Sequence, residues 1–202
     1  MMMELVYKVG NSMYINLTNR CSSACTFCLR QTTDTVGESS SLWLEREPSA
    51  QEVIDALRAA DLEGRDEIVF CGFGEPTCAL DVLLETGSWI KQNLSIPVRL
   101  NTNGQGDLIA GRDISGDLAA CIDTVSVSLN DPDPARYQAL VRSKFGGRAY
   151  PAMIRFAADC VKAGMKVVMT TVDTTISHDD EKKCREICEN IGAAYRIREW
   201  VD

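Results

Sequence analysis

Short apolar runs alternate with amphipathic stretches along this chain. Six runs read as strands, over residues 13–17, 67–71, 98–101, 124–129, 166–172 and 195–200. EIVFC, DTVSVSL and KVVMTTV are nearly continuous rather than alternating, allowing for small polar residues, which is how buried parallel strands read. Helical stretches lie between them. Pro48 and Ser49 open SAQEVIDALRAADLEG, with apolar residues at Val53, Ile54, Leu57 and Ala60 and a stop at Gly64. Further helices are expected over 79–93, 108–121, 134–141, 151–164 and 179–191, with Gly164 and Gly192 at C-cap positions. Repeated β-α units imply a parallel sheet with right-handed crossovers and helices outside. Six units are too few for a closed eight-stranded barrel, which leaves a partial barrel or an open doubly wound sheet. In either case ligands collect at the C-terminal ends of the strands.

Composition narrows the class. The 202 residues suit one domain with a substantial core, and no apolar run is long enough to span a bilayer. The N-terminus lacks a sustained apolar segment of the signal-peptide kind, so a reducing cytoplasm is the expected compartment. Nine cysteines there argue for a metal site and free thiols rather than disulfides. The net charge of −8 disfavours nonspecific binding to membranes or nucleic acid, which needs basic surface. Arg136, Arg142, Lys144 and Arg148 form a local basic cluster that reads either as a solvated face or as an anion contact. The least regular stretch, about 30–47, is polar and Ser/Thr-rich; it is expected to be a flexible loop, either a lid or docking loop or a plain excursion. Trp43 within it favours some packing role.

The chemistry is concentrated after the first strand. Cys21, Cys25 and Cys28 form C-x3-C-x2-C in NLTNRCSSACTFCLR. A 4Fe–4S cubane usually takes four cysteines, so three leave one iron open to a small molecule. Zinc prefers four ligands in a structural site. No fourth cysteine is close in sequence, and the only histidine, His178, is distant, although a distant ligand or three packed thiols remain alternatives. Gly72-Phe73-Gly74-Glu75-Pro76 follows the second strand, where two glycines allow a sharp turn and Glu75 offers an acceptor for an ammonium group. NTNG ends the third strand, and Ser128 and Asn130 end the fourth, where turn chemistry before Asp131-Pro132 is the competing explanation.

Taken together, these motifs resemble the radical S-adenosylmethionine (SAM) superfamily. The cysteine triplet with Phe27 before its last member matches that superfamily's signature, GFGEP looks like its GGE-type motif with Phe73 in place of a common small residue, and NTNG is similar to its third-strand turn. YINLTNRCSSACTFCLR, GFGEPT, VRLNTNGQGDLIAGRDI, VSVSLNDPDPARYQALVRSKFG and RIREW more closely resemble the small radical SAM proteins called TatD-associated.

The resemblance implies an α/β fold, an open six-stranded (β/α)6 partial TIM barrel, as a single domain over residues 1–202. It implies one 4Fe–4S cluster on Cys21, Cys25 and Cys28, and SAM bound to the remaining iron. It further implies an external one-electron reductant and hydrogen abstraction from a substrate that the sequence does not name. By position, Glu75, Gly72 and Gly74 would meet the SAM amino group, and the Phe27 region the adenine. Asn101, Ser128 and Asn130 would meet ribose or carboxylate, with Thr171 and Arg198 as weaker candidates. Cys71 and Cys78 flank GFGEP and could lie near the site. Cys184 and Cys188 share a helix face that suits core packing better than a metal clip, and Cys121 and Cys160 read as core. Nothing obvious closes the open side of such a barrel, which suggests a macromolecular substrate or partner. A functional link to a TatD-type nuclease is a further expectation. The alternatives are an enzyme like a carboxy-deazaguanine synthase or a glycyl-radical activase, and a non-catalytic metal-binding module that docks on a partner.

Overall fold

The computed structural model describes residues 3–199. Its centre is one seven-stranded sheet whose strands lie side by side in chain order. Strand β1 (Val6–Val9) pairs antiparallel with β2 (Ser12–Ile15) across a turn in which Gly10 takes φ 57°. From β2 onward every pairing is parallel, through β3 (Ile68–Phe70), β4 (Val98–Thr102), β5 (Thr124–Ser128), β6 (Lys166–Val172) and β7 (Ala194–Arg198). The six expected strands are thus β2 to β7, and the open parallel α/β sheet is as anticipated. The added strand β1 has only four residues, VYKV, and its place depends on the hairpin with β2. The expected end of the last strand, Trp200, lies outside the described residues.

The helices follow from local chemistry. Helix α1 (Ala50–Ala59) begins with a capping box in which Ser49 and Glu52 satisfy each other's backbone amides. Helix α2 is Leu80–Asn93. The single helix expected over 108–121 is instead two short ones, α3 (Gly106–Ala110) and α4 (Ser115–Ala119). Gly111 turns left-handed at φ 71° between them, while the Asp107 and Asp113 carboxylates accept from the amides of Ile114 and Ser115. Helix α5 (Pro134–Val141) is capped by Asp133; α6 is Ala149–Lys162; and α7 (His178–Ile191) runs from a Ser177 cap to Gly192 at φ 78°.

The core lies between one face of the sheet and these helices. Ile15, Phe70, Leu100, Val127 and Met169 meet Leu57, Leu83, Ile90 and Phe156 there. Cys121, Cys160, Cys184 and Cys188 are buried in the same cluster, as packing thiols. Strand β4 shows the alternation, with Val98, Leu100 and Thr102 buried and Arg99 and Asn101 on the other, concave face. On that face Arg99 pairs with Glu67 at 2.6 Å and reaches Asn101 and the Tyr14 hydroxyl.

Residues 30–47 are not a detached excursion. Leu42 is fully buried and forms a second apolar cluster with Tyr7 and Phe73. The Asn16 and Asn19 amides donate to the carbonyls of Leu42 and Leu44 at 2.7 Å each. Trp43 packs edge-on against Phe73 with ring centroids 5.1 Å apart, and its indole N–H donates to Asp34. No described helix is long and apolar enough to cross a membrane.

Candidate functional site

The cysteine segment leaves β2 and is pinned along the end of α5. Ala24 and Thr26 donate their amides to the carbonyls of Val141 and Leu140, and Lys144 donates to the carbonyl of Ser22. This backbone pairing places the segment at the C-terminal ends of β2 to β5. Cys25 and Cys28 line a cavity of about 310 Å³ together with Phe27, Gly72, Phe73, Cys71, Ser128, Tyr7, Tyr14, Arg30 and Arg198. A larger hollow of about 630 Å³ lies at the opposite end of the sheet, around Pro97, Asp123 and Lys166, and carries none of this chemistry.

Five of the predicted site residues therefore share one cavity: Cys25, Cys28, Phe27, Gly72 and Ser128. Arg198 joins them from the exposed edge strand β7. The others stand elsewhere. Cys21 is half-buried, and its sulfur accepts from the Ser23 amide at 3.4 Å. Asn101 gives its side-chain oxygen to Arg99 at 2.8 Å on the concave face. Asn130 is buried at the end of β5 with φ 62°, its side-chain oxygen without a hydrogen-bond partner. Thr171 shares its hydroxyl with the Tyr195 hydroxyl at 2.7 Å, on the side of the sheet that carries α7.

Glu75 does not face the cavity as a free acceptor. It is buried, and its carboxylate takes four donors: the Thr77 amide and hydroxyl, the Thr102 hydroxyl at 2.7 Å and the Asn103 amide at 2.8 Å. Burial pushes its pKa up, against these hydrogen bonds, which favour the anion. In this position Glu75 ties the ends of β3 and β4 together. The two glycines before it are required for packing. A Cβ on Gly72 would stand 2.1 Å from the Asn16 side-chain oxygen, and one on Gly74 would stand 2.1 Å from the Thr18 carbonyl oxygen.

Two residues that the sequence reading passed over organise the site. Gln105 is fully buried; its oxygen accepts from Ser22 and Ser143, and its amide donates to Ser23 and Tyr137. Asn103 donates to the Ser22 hydroxyl at 3.0 Å and to the Cys21 sulfur at 3.8 Å. The signal was present in NTNGQG, but motif resemblance drew attention to the first Asn of that turn rather than the second. Tyr7 was missed because β1 was.

The donor set bears on what the site holds. Among the described residues, no three His, Cys, Asp or Glu side chains could hold a single metal ion. A cubane presents separate irons and does not require its cysteines to converge on one point. As free thiols, Cys21 and Cys25 resist ionisation. Burial, then the neighbouring Cys21 and Cys28, push Cys25 up to about 12, while burial and Glu75 raise Cys21. A bound cation reverses that preference, because coordination stabilises the thiolate.

The family model of the radical SAM superfamily matches residues 15–190. The chain belongs to that superfamily. A probable GTP 3′,8-cyclase from Methanopyrus kandleri is 33% identical over 170 residues, which cover 81% of this chain and 50% of that protein. Among solved structures, Streptococcus suis SuiB bound to the precursor peptide SuiA superposes with a TM-score of 0.72 at 18% identity, covering 97% of this chain and 40% of SuiB. SuiB bound to SAM gives 0.71 at 19% identity, covering 94% and 40%. A radical SAM methyltransferase from Sphaerobacter thermophilus gives 0.62 at 16%, covering 96% and 68%. These structures establish the shared fold. This chain spans about half the length of the cyclase and less of SuiB. Members of the superfamily typically use a 4Fe–4S cluster and SAM.

Proposed function

We propose that this protein is a radical SAM enzyme whose 4Fe–4S cluster is held by Cys21, Cys25 and Cys28. The observation that carries the reading is the convergence of Cys25 and Cys28 with Phe27, Gly72 and Ser128 on one cavity at the C-terminal ends of the strands, in a chain of this superfamily. When bound, the cluster and SAM supply reductive cleavage of the sulfonium to a 5′-deoxyadenosyl radical that takes hydrogen from a substrate.

The chain's own residues supply placement. Pairing of Ala24 and Thr26 with the end of α5 fixes the cysteine segment. Gly72, in the cavity lining, leaves room for the Asn16 side chain that holds the Leu42 carbonyl. Phe27, Phe73, Leu42 and Val36 give the cavity an apolar side, which limits water at a reactive centre. Ser128 and Arg198 supply a hydroxyl and a cation on the opposite side, suited to the ribose and carboxylate of SAM or to an anionic substrate.

The finer assignments share this footing. The close resemblance of several segments to the TatD-associated radical SAM proteins supports that subgroup and a functional link to a TatD-type nuclease. Among the described residues β7 is an edge strand with Arg196, Ile197 and Arg198 exposed, which supports a macromolecular substrate or partner covering that side. An external one-electron reductant completes the cycle.

Anaerobic reconstitution with iron and sulfide, reduction with dithionite and addition of SAM tests the reading. Formation of 5′-deoxyadenosine by the wild type but not by Cys25→Ala is expected. A fully loaded protein that leaves SAM intact would point to a non-catalytic module.

A further inference from the structure

We infer that Asn103 is a hydrogen-bond donor to the cluster ligand Cys21 and thereby sets how readily the cluster accepts its electron. The inference rests on the cluster assignment above, and it concerns a residue outside the cavity lining.

The orientation of the Asn103 amide follows from its partners. Its oxygen accepts the Gln105 backbone N–H at 2.9 Å, so its nitrogen is the atom turned toward the cysteine segment. That nitrogen has two hydrogens and two acceptors, the Ser22 hydroxyl at 3.0 Å and the Cys21 sulfur at 3.8 Å. The acceptors are themselves held. Ser22 donates its hydroxyl hydrogen bond to the Gln105 oxygen at 2.9 Å, and Gln105 is fixed in turn by Ser143, Ser23 and Tyr137. The Asn103 backbone is fixed separately, by its N–H on the Glu75 carboxylate. The side chain is therefore held on every polar atom it has, with one donor left for sulfur. A network satisfied at each member holds its geometry when charge changes nearby.

The physical consequence has a definite sign. Reduction adds one electron from the external reductant to the cluster and moves no atom. The added charge spreads onto the sulfurs, including that of Cys21. An N–H pointed at a sulfur stabilises the reduced form more than the oxidised one, so the donor raises the potential. Removing it makes the cluster harder to reduce.

The test is a redox titration followed by electron paramagnetic resonance (EPR), with iron and sulfide content measured for each protein. Asn103→Ala is expected to load cluster as the wild type does. At a fixed applied potential its ratio of reduced to oxidised cluster should fall about tenfold, which for one electron is about 59 mV. Ser143→Ala removes a hydrogen bond from the same network without removing the donor to sulfur, so its stability should fall while its midpoint stays at the wild-type value. A loaded Asn103→Ala with an unchanged midpoint overturns the inference and leaves the cluster assignment intact. A shift of equal size in Ser143→Ala also overturns it, because the effect would then belong to the network at large. A wild type that takes no cluster overturns both readings. If Asn103→Ala fails to fold, wild-type protein labelled with ¹⁵N-asparagine decides the matter by pulsed EPR. Coupling of a side-chain nitrogen to the reduced cluster supports the contact, and its absence refutes it.

Discussion

Glu75 illustrates how a motif residue can be recognised without its role being read. Its place after two glycines at a strand end was legible, but the four donors that converge on it come from three separate positions, Thr77, Thr102 and Asn103. No linear pattern shows that Thr102 and Asn103, at the end of the next strand, fold back onto it. Glu75→Ala would leave the Asn103 amide, the Thr102 hydroxyl and both Thr77 donors without their acceptor in a buried place. The expected loss is about 2–4 kcal/mol in chemical denaturation, since an orphaned buried donor costs about 1–3 kcal/mol. A loss below about 0.5 kcal/mol would mean that these donors find other partners. Glu52 gives a prediction with the opposite exposure. Its hydrogen bonds with Arg46 and with the Ser49 backbone and hydroxyl lower its pKa to about 2 from an ordinary 4.5. A carboxylate held below its unfolded value contributes stability above about pH 4.5, and that contribution is lost as the pH falls toward 2. The stability difference between wild type and Glu52→Gln should therefore narrow across that window, and a difference constant from pH 5 to pH 2 would refute it. Ser49→Ala should cost about 1 kcal/mol at neutral pH through the lost cap.

At the scale of elements, the parallel strands and most helices were legible because their apolar spacing and caps are local. Gly192 ends α7 in both sequence and structure. Strand β1 was not legible. Its pairing with β2 depends on a hairpin turn and on Tyr7 packing against Leu42, which is more than thirty residues away. Residues 30–47 are polar in composition, yet three apolar side chains, Val36, Leu42 and Trp43, anchor them, a packing role that Trp43 alone signals in the sequence. Leu42→Ala should cost about 2–4 kcal/mol, as for other fully buried leucines, and should raise hydrogen exchange in residues 30–47 ahead of the helices. Uniform exchange across the chain after that substitution would show that the loop is not a separately anchored unit. Gly74→Ala tests the crossing of two elements. Its Cβ would overlap the Thr18 and Arg20 carbonyl oxygens at 2.1 and 2.6 Å, neither of which is the end of a flexible side chain. Overpacking of this kind costs about 1–3 kcal/mol, and here the displacement would fall on the segment that leads into Cys21. A melting temperature within a degree of wild type would contradict it.

For the whole molecule, the sheet sets the chemistry's address and the cysteine segment supplies its content. The parallel order of β2 to β7 brings six strand ends to one side, and the crossovers leave the helices on the other. That arrangement was foreseeable from repeated β-α units. The side chains that meet in the cavity were foreseeable only in part: Phe27, Gly72 and Ser128 from motif position, but Tyr7, Tyr14 and Arg30 from none. Cavity membership depends on how far each strand extends and which way its last residues face, and a register of one residue reverses the facing. The claim on which everything rests is that three cysteines hold a four-iron cluster with one iron open. The measurement is metal and sulfide analysis of anaerobically reconstituted protein, with EPR of the reduced state before and after SAM. The account predicts about four irons per chain, an EPR signal of a reduced cubane that changes when SAM binds, and loss of both in Cys28→Ala. Zinc in place of iron, or a cubane signal indifferent to SAM, would contradict it.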